Sequence, residues 1–97
     1  MIEAGDIYRA DLNEDRRWLV LVVSNDRFHR LAGRVLVAPE FHGSVGTVAP
    51  PWRVAVDAHV FAVDLLRSVP ADRLLERIDR APVAVMKAVE HVLRRIT

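Results

Sequence analysis

Residues 18–23 read Trp-Leu-Val-Leu-Val-Val, an uninterrupted run of large apolar and β-branched side chains. Asn-Glu-Asp at 13–15 precedes the run and Ser-Asn-Asp at 24–26 follows it, and both tripeptides are typical of turns. A short apolar run bounded in this way is typical of a buried central strand. This stretch therefore predicts a sheet with residues 18–23 in its interior.

The flanking segments predict further strands around this central one. Residues 5–12 alternate in character, with Tyr8, Ala10 and Leu12 on one side, which is typical of a half-exposed strand. Residues 26–33 are a polar connection with room for a helical turn. The predicted strands span residues 5–12, 18–23, 34–38, 52–56 and 60–65.

The last third of the chain predicts two helices. Pro70 suits the first turn of a helix, with Ser68 as a cap, and Pro82 suits the start of a second helix. Five short strands followed by two helices predict an α+β domain built on a small barrel-like sheet of antiparallel strands. The predicted apolar faces are Leu74, Leu75 and Ile78 for the first helix, and Val85, Met86, Val89, Val92, Leu93 and Ile96 for the second.

Length and composition limit the class of protein. A chain of 97 residues, 52% hydrophobic and 28% charged, predicts one globular domain over residues 1–97. The absence of cysteine excludes a disulfide framework, a thiolate metal site and a cysteine nucleophile. No secretory signal or membrane-spanning run is present, so we expect a cytoplasmic protein without a membrane partner.

Charge gives a weaker indication of the partner. The formal net charge of +1 does not indicate nucleic-acid binding, but arginine dominates residues 16–34 and is the basic residue best suited to bidentate phosphate contacts. The codon bias of a GC-rich genome would explain the same arginine content. No histidine pair has metal-ligand spacing and no glycine-rich phosphate loop is present, so we expect neither a metal nor a cofactor.

Three segments, in this order, resemble the MazF/PemK toxins of bacterial toxin–antitoxin systems. Residues 5–12 read Gly-Asp-Ile-Tyr-Arg-Ala-Asp-Leu, and residues 18–26 end in Val-Val-Ser-Asn-Asp. Residues 63–74 read Val-Asp-Leu-Leu-Arg-Ser-Val-Pro-Ala-Asp-Arg-Leu. The resemblance implies a small SH3-like barrel of about five strands with a C-terminal helix, usually as a homodimer.

It also implies a toxin that cleaves mRNA or tRNA as a metal-independent, sequence-selective endoribonuclease, leaving a 2′,3′-cyclic phosphate, and that a cognate antitoxin neutralises. Two alternatives from other classes stay open. CcdB-type toxins share the fold but bind DNA gyrase, although they depend on a Trp-Gly-Ile tail whereas this chain ends in Arg-Arg-Ile-Thr at 94–97. A catalytically decayed relative is the other alternative.

The family's catalytic pair consists of an arginine at the start of the second strand and a Thr or Ser after the third. Arg16 and Arg17 stand near the first position, although Trp18 replaces the usual proline. No threonine stands at the second position, in a long loop, residues 39–51, whose glycines and prolines disfavour regular structure. Its possible substitutes are His42, Ser44, Glu40 and Thr47, of which His42 is chemically best suited because imidazole titrates near neutrality.

Further residues are candidates for RNA contacts, each with a plain structural alternative. The alternatives for His29 and Arg30 are phosphate binding and simple solvation. The alternatives for Trp18 and Trp52 are stacking on a base and packing in the core or a dimer contact. Arg67 helps hold the site or forms an ion pair with Asp64. The predicted RNA-binding residues are Arg27, His29, Arg30, Thr47, Trp52 and Arg67.

Overall fold

The computed structural model describes residues 2–14, 17–41 and 52–96. In these ranges the chain forms a five-stranded antiparallel sheet, a separate β-hairpin and two helices. Of the predicted site residues, Arg16, His42, Ser44 and Thr47 lie outside the described residues. The elements are β1 (Asp6–Ala10), β2 (Trp18–Val22), α1 (Asp26–Ala32), β3 (Arg34–Pro39), β4 (Arg53–Val56), β5 (His59–Ala62), β6 (Arg67–Pro70), β7 (Leu74–Arg80) and α2 (Val83–Ile96).

The sheet has the strand order β6-β3-β2-β1-β7, which confirms the predicted strand at 18–23 as the central one. Tyr8 in β1 lies opposite Val20 in β2 on one side and opposite Arg77 in β7 on the other. β4 and β5 pair with each other as the separate hairpin. The predicted α+β class with a C-terminal helix is confirmed, although the described strands form an open sheet and a hairpin instead of a closed barrel.

Each face of the sheet is covered by its own apolar cluster. Leu21 and Phe61 belong to the cluster between the sheet, the hairpin and α2, and both are fully buried. Val20 and Val22, which alternate with Leu21 along β2, belong to the cluster on the other face. An uninterrupted apolar run is what a strand covered on both faces requires, which explains why residues 18–23 do not alternate with polar ones.

The predicted helix from Pro70 is wrong. Ala71–Arg73 form one 3-10 turn, and the segment that follows is strand β7, hydrogen-bonded to the outer edge of β1. Leu74 is buried whereas Leu75 and Ile78 are exposed, so the three residues assigned to that helix do not form one buried face. The backbone N–H and C=O groups on the side of β1 that faces away from β2 need hydrogen-bond partners. Strand β7 supplies these partners, whereas a helix would not.

The second predicted helix is confirmed as α2. Val89 and Val92 are buried, and Val85, Met86 and Leu93 pack against the same cluster. The backbone carbonyl of Pro82 accepts hydrogen bonds from the N–H groups of residues 85 and 86, so the helix begins where the proline predicts. None of the helices in the described part of the chain is long and apolar enough to span a membrane.

A buried carboxylate joins the start of β1 to the end of β7. The Asp6 side chain is fully buried and accepts hydrogen bonds from Arg80 Nη1 (2.8 Å) and from the backbone N–H of Glu3 (2.9 Å).

Near Asp6, partial burial raises the pKa of Tyr8 above its ordinary value of 10.0. The charge of Asp6 raises this pKa further, whereas the charge of Arg77 lowers it.

Candidate nucleic-acid interface

A cavity of about 400 Å³ lies at the end of the sheet where β2 begins and β3 ends. Its walls are mostly apolar, and charged side chains stand among them. The residues that line it come from segments far apart in the sequence and are Leu12, Glu14, Trp18, Pro39, Glu40, Phe41, Leu65 and Arg67.

Antiparallel pairing brings these segments together. Val20 lies opposite Pro39, and the backbone N–H of Glu40 donates to the carbonyl of Leu19 (3.0 Å), so the start of β2 meets the end of β3. The backbone N–H of Phe41 then donates to the carbonyl of Val60 (2.7 Å), which joins this edge to the hairpin. The end of β3 and the hairpin therefore meet directly beside the cavity.

Arg17, the predicted phosphate-binding residue, directly precedes the cavity residue Trp18. Its Nη1 lies 3.3 Å from Oδ1 of Asp11, and about half of its side chain is exposed. A guanidinium held at one side and open on the other is suited to binding a phosphate. Arg17 is thus the chain neighbour of a cavity residue, although it is not itself among the residues that line the cavity.

Arg67 also lines the cavity, but its predicted ion pair is wrong. Its Nη1 lies 3.4 Å from Oε1 of Glu14, another cavity residue. Asp64 instead accepts two hydrogen bonds from Arg53, from Nε (2.9 Å) and Nη2 (3.2 Å). The 3-10 turn Val63–Leu65 is the reason, since it places the Asp64 carboxylate against β4 and leaves Arg67 to begin β6.

A histidine–carboxylate pair, not predicted from the sequence, lies beside the cavity. His59 Nδ1 lies 2.5 Å from Oε2 of Glu40, whose side chain is only 11% exposed, whereas 44% of the His59 side chain is exposed. A β-bridge between Glu40 and Phe61 brings the two side chains to the same side of the backbone. Because this contact joins residues 19 positions apart, no local motif could have indicated it.

Two aromatic residues near the cavity differ in their position. The Arg53 guanidinium lies 3.8 Å from the centre of the Phe41 ring, a cation–π contact that holds the ring at the cavity wall. Trp18 is half-buried, packs against the core and also lines the cavity. Trp52, predicted to contact RNA, precedes β4 and is partly exposed, but it is not among the residues that line the cavity.

The three candidates on α1 lie at the opposite end of the strands. The helix joins the end of β2 to the start of β3, whereas the cavity lies at the start of β2 and the end of β3. Arg27 and Arg30 are exposed, and Arg30 lies 3.7 Å from Asp26. The structure therefore does not bring this helix together with the cavity.

His29, which we expected to be solvated or to bind phosphate, is half-buried. Its Nε2 lies 2.6 Å from the hydroxyl of Ser24, and its Nδ1 lies 3.1 Å from the carbonyl oxygen of Ile2. The Ser24 hydroxyl also accepts a hydrogen bond from the backbone N–H of Leu36 (2.9 Å). Both ring nitrogens are thus engaged in holding α1 and the N-terminal segment against the sheet.

Several solved structures share this fold. An endoribonuclease in complex with its cognate antitoxin, from a mycobacterial species, superposes with a TM-score of 0.81 at 20% identity, covering 98% of this chain and 93% of that one. A MazE–MazF complex from Deinococcus radiodurans gives 0.82 at 22% identity, with coverages of 98% and 94%. The Mycobacterium tuberculosis toxin MazF-mt6 gives 0.74 at 21% identity, with 93% of both chains covered.

These likenesses establish the fold, and the family follows from the sequence itself. No curated protein matches the chain in a comparison of sequences. A family model does match, however, and it covers residues 3–97, nearly the whole chain. The fold agrees with that match, since the sheet and C-terminal helix superpose on MazF structures over almost their full length. The chain belongs to the PemK-like, MazF-like toxins of type II toxin–antitoxin systems.

Proposed function

We propose that this toxin is a metal-independent endoribonuclease that cuts single-stranded RNA at the cavity between β2, β3 and β6. The observation that carries the proposal is an apolar cavity lined by Arg67, Trp18 and Phe41, with Arg17 directly before Trp18 in the chain. Cations that can bind a phosphate and aromatic rings that can stack on a base are the two elements that recognition of single-stranded RNA requires.

The reaction needs three kinds of group. The RNA 2′-hydroxyl attacks the adjacent phosphate, so one group must take its proton, one must protonate the leaving 5′-oxygen, and donors must stabilise the charge on the phosphoryl oxygens. Arg17 is our choice for the last role, with Arg67 beside it. Such a reaction requires no metal, because the guanidinium groups supply the positive charge.

Proton transfer is assigned to side chains where the end of β3 meets the start of β5. The family's threonine is missing, and in its place the chain offers the Glu40–His59 pair, whose nitrogen and oxygen are 2.5 Å apart beside the cavity. A carboxylate holding one ring nitrogen orients the imidazole so that the other nitrogen can exchange a proton. Arg16, His42, Ser44 and Thr47 are proposed from the sequence as further groups at this site.

The partners follow from the relatives. The structural relatives include a MazE–MazF complex and an endoribonuclease bound to its cognate antitoxin, which supports a cognate antitoxin for this chain as well. We assign the protein to the cytoplasm, where mRNA and tRNA are available, and propose that it acts as a homodimer. Arg27, Arg30 and Trp52 are exposed or partly exposed outside the cavity, so any RNA contact they make lies beyond the cleaved nucleotide.

The test is cleavage of long natural RNAs and tRNA by the purified toxin, freed of antitoxin, in the presence of EDTA. New ends are mapped by primer extension, and the expected products carry a 5′-hydroxyl at discrete sequences. Intact RNA from a preparation that still arrests growth when expressed would exclude the nuclease. Copurification of DNA gyrase in that case would favour the CcdB type of action. A protein that neither cleaves RNA nor arrests growth would be a catalytically decayed relative.

A further inference from the structure

A second, polar pocket of about 310 Å³ adjoins the proposed cleavage site. Three arginines line it, Arg34 at the start of β3, Arg67 in β6 and Arg73 in the 3-10 turn before β7. Asp11 is the one carboxylate among its lining residues. This three-arginine pocket therefore carries an excess of positive charge in a concave surface, which favours an anionic ligand.

Neutral acceptors hold two of the three guanidinium groups in place. Arg34 donates from Nε to the hydroxyl of Ser68 (2.8 Å) and from Nη2 to its backbone carbonyl (2.7 Å). Arg73 donates from Nη1 to the side-chain oxygen of Asn13 (2.7 Å). These bonds orient the side chains without cancelling their charge, whereas Asp11, 3.6 Å from Arg73, and Glu14, 3.4 Å from Arg67, offset part of the pocket's positive charge. Each guanidinium has five N–H donors in all. The remaining donors are available to a ligand.

The pocket is continuous with the cleavage site. Arg67 and Leu12 line both the pocket and the cavity. Asp11 links them electrostatically, because its Oδ1 lies 3.3 Å from Nη1 of Arg17 and its Oδ2 lies 3.6 Å from Nη1 of Arg73. An anion in the three-arginine pocket is thus one carboxylate away from the arginine proposed to bind the scissile phosphate.

We infer that the three-arginine pocket binds the backbone phosphate of a nucleotide next to the cleaved one. The inference rests on the proposed ribonuclease function. RNA is a polymer with a phosphate at every nucleotide, so a strand whose scissile phosphate lies at Arg17 carries further phosphates along the same edge. The planar fork of Arg34, open on the side away from Ser68, suits a phosphate's paired oxygens. An acidic peptide is the competing ligand, and the following experiment separates the two.

The probe is a mixed-sequence 2′-O-methyl RNA oligonucleotide, which keeps the phosphates but cannot supply the attacking hydroxyl. Its binding to the full-length toxin is measured by fluorescence anisotropy over a range of salt concentrations. Arg34→Gln and Arg73→Gln should each weaken binding by about 2- to 5-fold, the range of an exposed ion pair. Each should also make the slope of log K against log salt shallower by about 0.7, the value for one single-strand phosphate contact.

Arg94→Gln is the matched control, since Arg94 is an exposed arginine on α2 that should leave affinity and slope unchanged. Thermal melting of each variant verifies that the fold is retained. The phosphate assignment is overturned if Arg34→Gln and Arg73→Gln, folded and still cleaving RNA, bind the probe with the wild-type slope. It is also overturned if they keep that slope but lose binding to a glutamate-rich peptide, which would identify an acidic-peptide site. A wild-type protein that neither binds nor cleaves RNA would refute the proposed function itself.

Discussion

Replacing Arg17 by alanine should separate catalysis from stability. Its ion pair with Asp11 spans 3.3 Å between side chains that are 52% and 29% exposed. An exposed pair of this kind stabilises a fold by at most about 1 kcal/mol, so the melting temperature should change little. Loss of one donor to the phosphoryl oxygens of the transition state, in contrast, should slow cleavage about 10²- to 10³-fold.

The assay is single-turnover cleavage of a fluorescent RNA, with thermal unfolding of the same preparations. Arg17→Lys keeps the charge but loses the bidentate geometry, so its rate should lie between those of the wild type and Arg17→Ala. Arg94→Ala on α2 is the control for the loss of an exposed arginine that is also ion-paired. Loss of a transition-state donor should slow cleavage by much more than about threefold. If Arg17→Ala cleaves RNA within about threefold of the wild-type rate, Arg17 does not bind the reacting phosphate.

Three further predictions follow from other contacts. Tyr8 is the chain's one tyrosine, so its titration can be followed directly by tyrosinate absorbance. Since folding raises its pKa above 10.0, the folded chain keeps the phenolic proton longer than the unfolded chain does, and the free energy of unfolding should decline as the pH rises above 10.0. Arg77→Ala should raise this pKa further, and a midpoint equal to that of the denatured chain would contradict the argument. Ser24→Ala should lower the free energy of unfolding in urea by about 1–3 kcal/mol, because both hydrogen-bond partners of this buried hydroxyl lose it, whereas an unchanged midpoint would mean that they find other partners. Glu40→Gln and His59→Ala should each slow RNA cleavage about 10²-fold with little effect on RNA affinity, and wild-type rates in both would assign proton transfer elsewhere.

The sequence predicts the parts of this fold in which burial and local pattern agree. The run at residues 18–23 identifies the central strand because both faces of that strand are covered. The helical spacing of apolar residues around Val89 identifies α2 because one face of that helix is buried. The helix predicted after Pro70 is wrong because Leu74, Leu75 and Ile78 have a helical spacing by chance. Pairing with β1, which no local pattern records, decides its conformation.

The candidate site shows the same division. Arg17 and Arg67 could be selected from the sequence because the family resemblance expects an arginine at the start of the second strand and another in the segment 63–74. The Glu40–His59 contact and the three-arginine pocket could not, because each depends on strand register between distant segments. His29 was a reasonable phosphate candidate by residue type, but its ring is held by Ser24 and the Ile2 carbonyl, and a histidine's role depends on such partners.

The strand order has a consequence for when the cavity can first form during synthesis. β1 lies between β2 and β7, so the strand that starts the chain is paired on both sides only after residues 74–80 have left the ribosome. The cavity likewise lacks a wall until residues 65–67 are available. A growing chain therefore cannot assemble the site while most of it is still being synthesised. The cavity of each copy therefore forms only when translation of that copy is nearly finished.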